Sequence, residues 1–433
     1  MTQEITERAL KKAMWRIVPF LMLLYFMSFL NRVNVGFAAL TMNDDIGLDK
    51  AAFGLGAGVF AVGYCLFEVP SNLVLEKFGA RRWIARILVT WGIVSACFAL
   101  VQGPYSFAFM RFLLGVAEAG FFPGMILYMT YWFPARNRAA VIAAFMAAAP
   151  ISTALGSPIS GAIMGLVGDG LILGLKDWQW LFILEAIPTI LLGLITLNVM
   201  ADRPSAAKWL TAEEAQAIEQ AIAAEDAAKA PHAHHSVWKS LSNPRVLALG
   251  GIYFGTSAGL YTVGIWAPQI LSDYDLSKVK LGLLNAIPSV IAVVGMIAWA
   301  RHSDRTQERT WHVVLPCLLA AAGLAWAANL AGLAACIAAL SIASLGISGC
   351  KPPLWSMPTM FLGGSGAAAG IALINSIGNL GGAVGPWAIG QIKQTTGSYA
   401  GGLYVVAGFL AFSAALTLIM SRMSRPTART ESA

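Results

Sequence analysis

The stretch FMRFLLGVAEAGFFP, residues 109–123, places two charged side chains in a segment apolar enough to cross a membrane. Arg111 and Glu118 are seven residues apart, which is almost two turns of α-helix. Both are therefore predicted on one face, about 10 Å apart along the axis. A charge at bilayer depth costs roughly 2.5–3.5 kcal/mol, so such residues nearly always face a protein interior or a water-filled pathway. Arginine keeps its proton there, whereas glutamate can bind one and become neutral.

The composition of the whole chain is that of a membrane protein. Of the 433 residues, 58% are hydrophobic and 12% are charged, whereas about a quarter of the residues in soluble domains are charged. Apolar stretches near 20 residues long, enough for a bilayer core of about 30 Å, recur from end to end. They cover about residues 17–40, 52–75, 83–102, 105–131, 139–167, 179–200, 245–271, 281–300, 311–329, 331–355, 365–391 and 400–421. The sequence therefore predicts an all-α membrane protein with twelve transmembrane helices.

The net charge of +7 indicates membrane topology rather than nucleic-acid binding. Of the 29 lysines and arginines, five fall in predicted outer loops and three within spans, which leaves 21 on the side of the N-terminus. The outer five are Lys50, Lys176, Lys278, Lys280 and Lys393, and the three within spans are Arg32, Arg111 and Lys351. Because positive residues accumulate on the cytoplasmic side, both termini are predicted there. The first span is too long for a signal-peptide core and has no small-residue cleavage site, so it is expected to remain as a helix.

An internal repeat divides the chain into two similar parts. Pro158 in the fifth span and Pro386 in the eleventh are 228 residues apart, and the inner loops at 76–82 and 303–309 keep the same offset. We therefore expect two six-helix pseudo-repeats, residues 1–200 and 245–433, joined by a cytoplasmic linker, residues 201–244.

The repeated inner loops each carry a carboxylate followed by arginine. Glu76 and Arg81 in the first loop correspond to Asp304 and Arg309 in the second. Such groups can cap a neighbouring helix and pair across a gap that opens and closes. These four residues are the predicted gating residues.

The linker differs from the spans in composition. Residues 211–229 are rich in alanine and glutamate and predict an amphipathic cytoplasmic helix, which Thr211 begins as a cap with Glu214 three residues on. His232, His234 and His235 follow. Three close histidines can hold a metal, but no cysteine or carboxylate cluster accompanies them, so a solvated linker is the preferred interpretation. The five cysteines all lie in apolar spans without CxxC spacing and are predicted to be packing residues.

Polar side chains inside other spans predict a binding site. Arg32 either binds an anion or extends to the outer surface, and the first alternative is preferred because Thr41 and the acidic turn Asn43-Asp44-Asp45 still lie two turns further on. The hydroxyl of Tyr64 can serve a substrate or join two helices. Lys351 stands beside Pro352 and Pro353, and broken helices at depth are tolerated where they line a cavity. The predicted substrate-binding residues are Arg32, Tyr64, Tyr261, Lys351, Asn375 and Asn379.

The chain resembles the major facilitator superfamily. The inner loop at 76–82, its repeat, and Arg111-x-x-x-Gly115 match superfamily motifs. More narrowly, it is similar to the anion:cation symporter family, which includes bacterial tartrate, phthalate, hexuronate and galactonate permeases and animal vesicular glutamate transporters. The matching stretches are NRVNVGFAALTMN at 31–43, FEVPSNL at 67–73, WQWLFILEAIP at 178–188 and AGIALINSIGNLGGAVGP at 369–386.

This resemblance implies a set of roles. In sugar-acid permeases of the family, an Asp-Arg pair lies in the first span, a tyrosine in the second, and an arginine and a glutamate in the fourth. The first arginine binds the substrate carboxylate, and the acids carry protons. The matching residues here are Asn31, Arg32, Tyr64, Arg111 and Glu118. Arg111 and Glu118 are thus the predicted proton-coupling residues, whereas Asn31 cannot titrate, so one proton site of the family is missing. Glu185 and Glu68 are the candidates to replace it.

The resemblance also implies the mode of action. We expect a proton-coupled symporter of the bacterial inner membrane that imports a small organic anion by alternating access around a midplane site. In this scheme Glu118 holds Arg111 until a proton neutralises it. We expect the protein to be a monomer in the lipid bilayer. We expect it to use no cofactor other than the coupling protons and to bind no nucleic acid.

Three other functions remain open from the sequence. A proton-driven exporter of drugs or metabolites is the main alternative, since Pro158-x-x-Gly161 partly matches an antiporter motif that Ser157 interrupts. A membrane-embedded enzyme is disfavoured because the spans show no nucleophile with a base and no phosphate loop. The third alternative is a sensor that has the same fold but transports nothing, because a fold alone does not determine function.

Overall fold

A computed structural model describes residues 2–168, 172–229, 243–329, 332–358 and 364–423. Helices account for almost all of these residues. They are α1 (Thr2–Val33), α2 (Val35–Asp45), α3 (Lys50–Phe78), α4 (Ala80–Cys97), α5 (Pro104–Glu118), α6 (Phe121–Thr130), α7 (Ala135–Val167), α8 (Asp177–Val199), α9 (Ala212–Lys229), α10 (Pro244–Ser272), α11 (Lys278–Thr306), α12 (Thr310–Ala327), α13 (Leu333–Gly349), α14 (Lys351–Ser356), α15 (Gly364–Thr396) and α16 (Ala400–Met423).

The helices confirm the predicted all-α membrane class. Within the described ranges, eleven helical stretches are long and apolar enough to cross a bilayer, with α1 and α2 together forming the first. Another helix, α15, is 33 residues long and lies between the tenth and eleventh of these stretches. The count of twelve spans and the cytoplasmic side of the termini stay predictions.

Three predicted spans are broken inside the bundle. The first is interrupted at Asn34, the fourth at Ala119 and Gly120, and the tenth at Cys350. Gly120 takes a left-handed conformation, φ 83°, and a Cβ there would lie 2.3 Å from the Ser71 hydroxyl oxygen, so a side chain would not fit. Each break lies within two residues of a charged side chain: Arg32, Glu118 and Lys351.

The end of the bundle where residues 200–229 lie is called the linker end. There α9 packs against α1, and the Glu214 carboxylate accepts from Lys12 Nζ at 2.6 Å and pairs with Arg8 Nε at 3.3 Å. This hydrogen bond from Lys12 lowers the pKa of Glu214, and the Thr211 backbone contributes. The predicted cap is confirmed, because the Thr211 hydroxyl accepts from the Glu214 amide at 3.2 Å. The three linker histidines lie outside the described residues.

At the opposite end the two halves are in close contact. A Cβ on Gly54 would lie 2.7 Å from the Pro386 carbonyl oxygen, and one on Gly282 would lie 2.5 Å from the Ser157 carbonyl oxygen. Gly54 and Gly282 are 228 residues apart, so the offset found in the sequence also relates two helix crossings, α3 with α15 and α11 with α7.

Polar contacts reinforce this closure. The Lys278 ammonium pairs with Asp177 at 3.0 Å, and the Lys50 ammonium donates to the Gln269 side chain at 3.0 Å. Lys50 and Lys278 are again 228 residues apart. The opposite end is therefore closed by small residues and by paired lysines from both repeats.

Candidate functional site

A cavity of about 720 Å³ lies between the halves and extends from the middle of the bundle to the linker end. At its mouth are Arg138, Asp304 and Arg309, and the Asp304 side chain is 70% exposed. All six predicted substrate-binding residues line it: Arg32, Tyr64, Tyr261, Lys351, Asn375 and Asn379. The structure is thus open toward the linker end and closed at the opposite end.

Arg32 lines this cavity and pairs with Glu118, which is fully buried and does not itself line it. The Nε and Nη2 atoms of Arg32 both lie 2.8 Å from Glu118 Oε1, and Nη1 donates to the Tyr261 hydroxyl at 2.8 Å. The Ser28 hydroxyl donates to the same carboxylate oxygen. Within the described residues, neither Glu118 Oε2 nor Arg32 Nη2 has a hydrogen-bond partner, so Nε donates the hydrogen bond while Nη2 contributes only charge. Arg32 is 6% and Glu118 is 0% exposed, so this ion pair is desolvated and directional.

Three aromatic rings surround the Arg32 guanidinium. Its Cζ lies 5.6 Å from the Phe29 ring centroid, 5.4 Å from that of Phe60 and 5.2 Å from that of Tyr64. Such cation–π contacts stabilise a positive charge by electrostatic attraction to the ring face. In the described part of the chain the Tyr64 hydroxyl has no hydrogen-bond partner, so it does not join two helices. Tyr64 therefore contributes its ring to Arg32 and leaves its hydroxyl for the cavity.

Arg111 is not the partner of Glu118, contrary to the expectation from the sequence. Its Nη2 donates to the Ala57 carbonyl at 3.2 Å, and its Cζ lies 5.1 Å from the Phe60 ring. It is 1% exposed and is not among the residues that line the cavity. The physical reason is that α5 ends at Glu118, so the carboxylate turns to Arg32 while Arg111 stays almost two turns away, toward the opposite end.

Asn31 and Glu185 belong to the packing between helices rather than to the cavity wall. The Asn31 amide donates to the Thr189 hydroxyl at 2.9 Å, and its oxygen accepts from Ser95 at 3.1 Å. The Glu185 carboxylate accepts from Ser160 at 2.6 Å and from the Asn34 amide at 2.9 Å. Neither residue lines the cavity.

Lys351 faces the same cavity from the other half. In the ranges that the structure covers, its ammonium has neither a hydrogen bond nor a carboxylate within 4 Å. A cation without a counter-charge inside a protein is costly, so an anionic ligand that reaches Lys351 would be stabilised there.

Asn375, the neighbouring cavity residue, already has a partner, because its amide donates to Glu68 of α3. Asn379 lies one helical turn further along α15 and also lines the cavity.

The predicted gating residues are not paired across the gap in this state. Arg309 Nη1 pairs with Asp304 at 2.8 Å inside one loop. The Arg81 amide donates to Asp202 at 2.8 Å, and Glu76 is exposed on the surface. Their pairing across a closed linker end stays a prediction.

Two further side chains, Ser28 and Phe60, belong to the site and were not predicted from the sequence. Ser28 lies one helical turn before Arg32, so spacing alone could have found it. Phe60 lies one turn before Tyr64, where it contacts both Arg32 and Arg111. It was missed because an apolar ring in an apolar span carries no signal in the sequence.

Comparison with known proteins decides the family. The sequence profile described as Major Facilitator Superfamily matches residues 21–386. The chain belongs to the major facilitator superfamily. This membership, which the motifs predicted, makes the protein a multi-pass membrane transporter rather than an enzyme.

Three relatives named as transporters match this superfamily member over nearly the full length of both chains. An Agrobacterium vitis protein named as a candidate tartrate transporter is 60% identical over 433 residues, which covers all of this chain and 96% of the relative. The candidate metabolite transport protein NicT of Pseudomonas putida is 42% identical, covering 96% of this chain and 95% of its own. The quinolone resistance transporter of Acinetobacter baumannii is 39% identical, with coverage of 94% and 93%.

The fold of this superfamily member is also found in solved structures. The xylose transporter XylE from E. coli, in a partially occluded inward-open conformation, matches with a TM-score of 0.74 at 16% identity. The match covers 96% of this chain and 98% of the other. At this identity the likeness shows the shared fold.

Proposed function

We propose that this superfamily member is a proton-coupled symporter that imports a small organic anion carrying at least one carboxylate. The observation that carries the proposal is the Arg32 guanidinium, which lies at the inner end of the cavity between the Glu118 carboxylate and the Tyr261 hydroxyl. The relative named for tartrate supports an organic acid as the substrate class.

The substrate carboxylate binds where Glu118 now contacts Arg32. Arginine presents its donors as a planar fork that matches a carboxylate, and here Nε and Nη2 both lie 2.8 Å from one oxygen of Glu118. A substrate carboxylate that enters the cavity competes for these two donors and for the Tyr261 hydroxyl. Two carboxylates cannot share one guanidinium without repulsion, so the substrate binds best once Glu118 is neutral.

A proton on Glu118 therefore couples to the substrate. When Glu118 is ionised, it neutralises Arg32 in the empty carrier. When Glu118 binds a proton, the substrate carboxylate takes its place. In both cases Arg32 has a counter-charge when the halves move, whereas a carrier with a bare Arg32 would bury an unpaired cation. Only the empty and the fully loaded carrier then cross, which is coupling through the relative stability of states.

From the positive-inside asymmetry we infer that the linker end faces the cytoplasm. With that orientation, the cavity is open inward, and the glycine contacts at the opposite end form the closed outer gate. The two halves exchange this arrangement for an outward-open one by moving as bodies. We place the protein in the bacterial inner membrane, as a monomer that uses protons and no other cofactor.

A second candidate function is proton-driven export, which the relative named for quinolone resistance supports. In proton-driven export the compound and the proton cross the membrane in opposite directions, whereas in symport they cross in the same direction. The buried Arg32 with its carboxylate partner favours the anion symporter, because its guanidinium can bind a substrate carboxylate.

Purified protein in liposomes with a trapped pH-sensitive dye tests the proposal. An inward gradient of L-tartrate, the acid in the relative's name, should acidify the interior. The same experiment with malate, glycerate and galacturonate finds the preferred acid. Acidification with none of these acids, or alkalinisation during uptake, would contradict the proposed symport.

A further inference from the structure

A second buried carboxylate joins the two halves. Glu68 in α3 is 4% exposed, and its oxygens accept from the Asn375 amide and, at 3.5 Å, from the Ser376 hydroxyl. Both donors lie in α15, which belongs to the other repeat. Asn375 also lines the cavity, so this contact lies directly beside the binding site.

In the described part of the bundle, Glu68 has no cation as a partner, a feature it shares with Glu185, but its side-chain donors come from the opposite half. Throughout the described residues, no lysine, arginine or histidine nitrogen lies within 4 Å of its carboxylate, whereas Glu118 pairs with Arg32 and Asp177 with Lys278. The ionisable groups around Glu68 are Tyr64 and Cys65 on its own helix, Arg32 on α1 and Tyr253 on α10.

The donors of Glu68 make its proton occupancy depend on the position of the halves. A carboxylate that accepts hydrogen bonds is stabilised in its ionised form, and here both donors from side chains are supplied by the opposite half. If α15 moves away from α3 near Glu68, the ionised Glu68 carboxylate loses both of these hydrogen bonds. Proton binding and the conformational change are then linked, and the linkage is reciprocal.

We propose that Glu68 is a second proton-binding site of the transport cycle, which releases its proton toward the linker end when Asn375 and Ser376 reach it. The step is one carboxylic acid losing one proton to water in the open cavity, and the reverse step takes one proton from the other side. The proposal rests on the proposed symport and adds a second coupling proton to that of Glu118.

A second proton has a clear electrical consequence. A dicarboxylate carried with one proton moves a net negative charge toward an inside-negative membrane potential, which opposes uptake. With protons on both Glu118 and Glu68 the same dianion crosses without net charge. Arg32 and Lys351, two of the four cationic residues that line the cavity in the described part of the chain, match two substrate carboxylates. Asn31 cannot supply the second proton, because a carboxamide does not titrate.

The ratio of protons to L-tartrate in liposomes tests this proposal. We expect Glu68→Gln to lower the ratio by one proton per substrate while labelled exchange persists, because glutamine still accepts from Asn375 but binds no proton. Glu185→Gln is the matched control, since that carboxylate is equally buried and bonded, but only within one half, and it should keep the wild-type ratio. An unchanged ratio in Glu68→Gln, or a proton lost in Glu185→Gln instead, would overturn the proposal.

An infrared measurement covers the case in which Glu68→Gln transports too slowly. Difference spectra of the wild-type protein in lipid, recorded as the pH is changed, should contain a band of a protonated carboxyl that Glu68→Gln removes and Asn375→Ser shifts. Identical spectra for wild type and Glu68→Gln would refute proton binding at Glu68. If wild-type liposomes show no substrate-driven proton movement, the symport proposal fails, while the infrared result still decides whether Glu68 titrates.

Discussion

Arg32 and Tyr261 connect the two halves of the protein: the guanidinium Nη1 of the first span donates to the hydroxyl of the seventh at 2.8 Å. The other two donors of the same guanidinium contact Glu118. Arg32 therefore contacts both Glu118, which we expect to bind a proton, and the C-terminal half, which we expect to move relative to the N-terminal half. A substrate carboxylate that replaces Glu118 would take over the same position between the halves.

Replacing Arg32 by lysine should weaken substrate binding. Lysine keeps the charge but offers one nitrogen, so it cannot serve Tyr261 and two carboxylate positions together. The loss of one charge-assisted hydrogen bond, about 1.5–3 kcal/mol, predicts roughly a 10- to 150-fold weaker affinity. Calorimetry with L-tartrate measures it.

Arg86→Lys is a suitable control for this prediction. That guanidinium lies 3.9 Å from the Trp83 ring and outside the cavity lining. It should leave the affinity unchanged. Wild-type affinity in Arg32→Lys would show that the carboxylate binds elsewhere.

Replacing Lys351 by methionine should separate diacids from monoacids. Lys351 lines the cavity without a counter-charge among the described residues, so it is available for a second carboxylate. We expect the affinity for L-tartrate to fall at least about tenfold, the value of one charged hydrogen bond, and the affinity for glycerate to change little. Equal losses for both acids, or no loss for either, would make Lys351 a structural residue.

Much of the fold followed from the sequence because each signal involved was local or periodic. Apolar runs predicted helical spans, and the offset of 228 residues found for Pro158 and Pro386 also relates Lys50 and Lys278, which approach the opposite half in equivalent places. The polar residues inside spans predicted a cavity lining, since few alternatives exist for such groups at bilayer depth. Arg32, Tyr261 and Lys351 do line one cavity.

The pairing of charges could not be predicted in the same way. The period of a continuous helix grouped Arg111 with Glu118, but the chain leaves the helix at Ala119 and Gly120, so Glu118 bonds to Arg32 instead. A glycine that permits a left-handed turn gives no sign of whether the turn is used. The bond of Glu68 to Asn375 joins residues 307 apart, and no spacing rule reaches so far.

Alanine at either repeat-related glycine should weaken the closed outer gate. An added Cβ at Gly54 would lie 2.7 Å from a backbone oxygen of α15, and one at Gly282 would lie 2.5 Å from a backbone oxygen of α7. Overpacking of this kind costs about 1–3 kcal/mol, enough to shift the two states roughly 5- to 150-fold toward the one open at that end.

Spin labels at Tyr105 and Thr395, in a background without the native cysteines, measure this opening as a longer distance. Gly408→Ala is the control, since nothing lies within 4 Å of an added Cβ there. Unchanged distances in both Gly54→Ala and Gly282→Ala would show that the outer contacts do not control the state.

Helix α9 should separate from α1 in acid, because protonation of Glu214 removes its ion pairs with Lys12 and Arg8. The pKa of Glu214 lies below its ordinary value because Lys12 donates to the carboxylate. Its contribution to stability is therefore complete at neutral pH and is lost as the pH falls through that lowered pKa. For a partly exposed pair we expect roughly 0.5–1 kcal/mol.

Hydrogen exchange of residues 212–229, compared between wild type and Glu214→Gln at each pH, measures the effect. The two should differ at neutral pH and converge in acid. Glu213→Gln is the control, because Glu213 is exposed on the same helix. The same difference at every pH would mean that the ion pairs with Lys12 and Arg8 do not hold the helix.

Counterflow and driven uptake in Glu118→Gln liposomes show whether the Glu118 carboxylate couples proton movement to transport. Glutamine cannot bind a proton or neutralise Arg32, so the loaded carrier should cross while the empty carrier, with its unpaired guanidinium, should not return. We predict that exchange of labelled for unlabelled L-tartrate persists near the wild-type rate and that uptake driven by a pH gradient is lost. Driven uptake at the wild-type rate in Glu118→Gln would contradict the account.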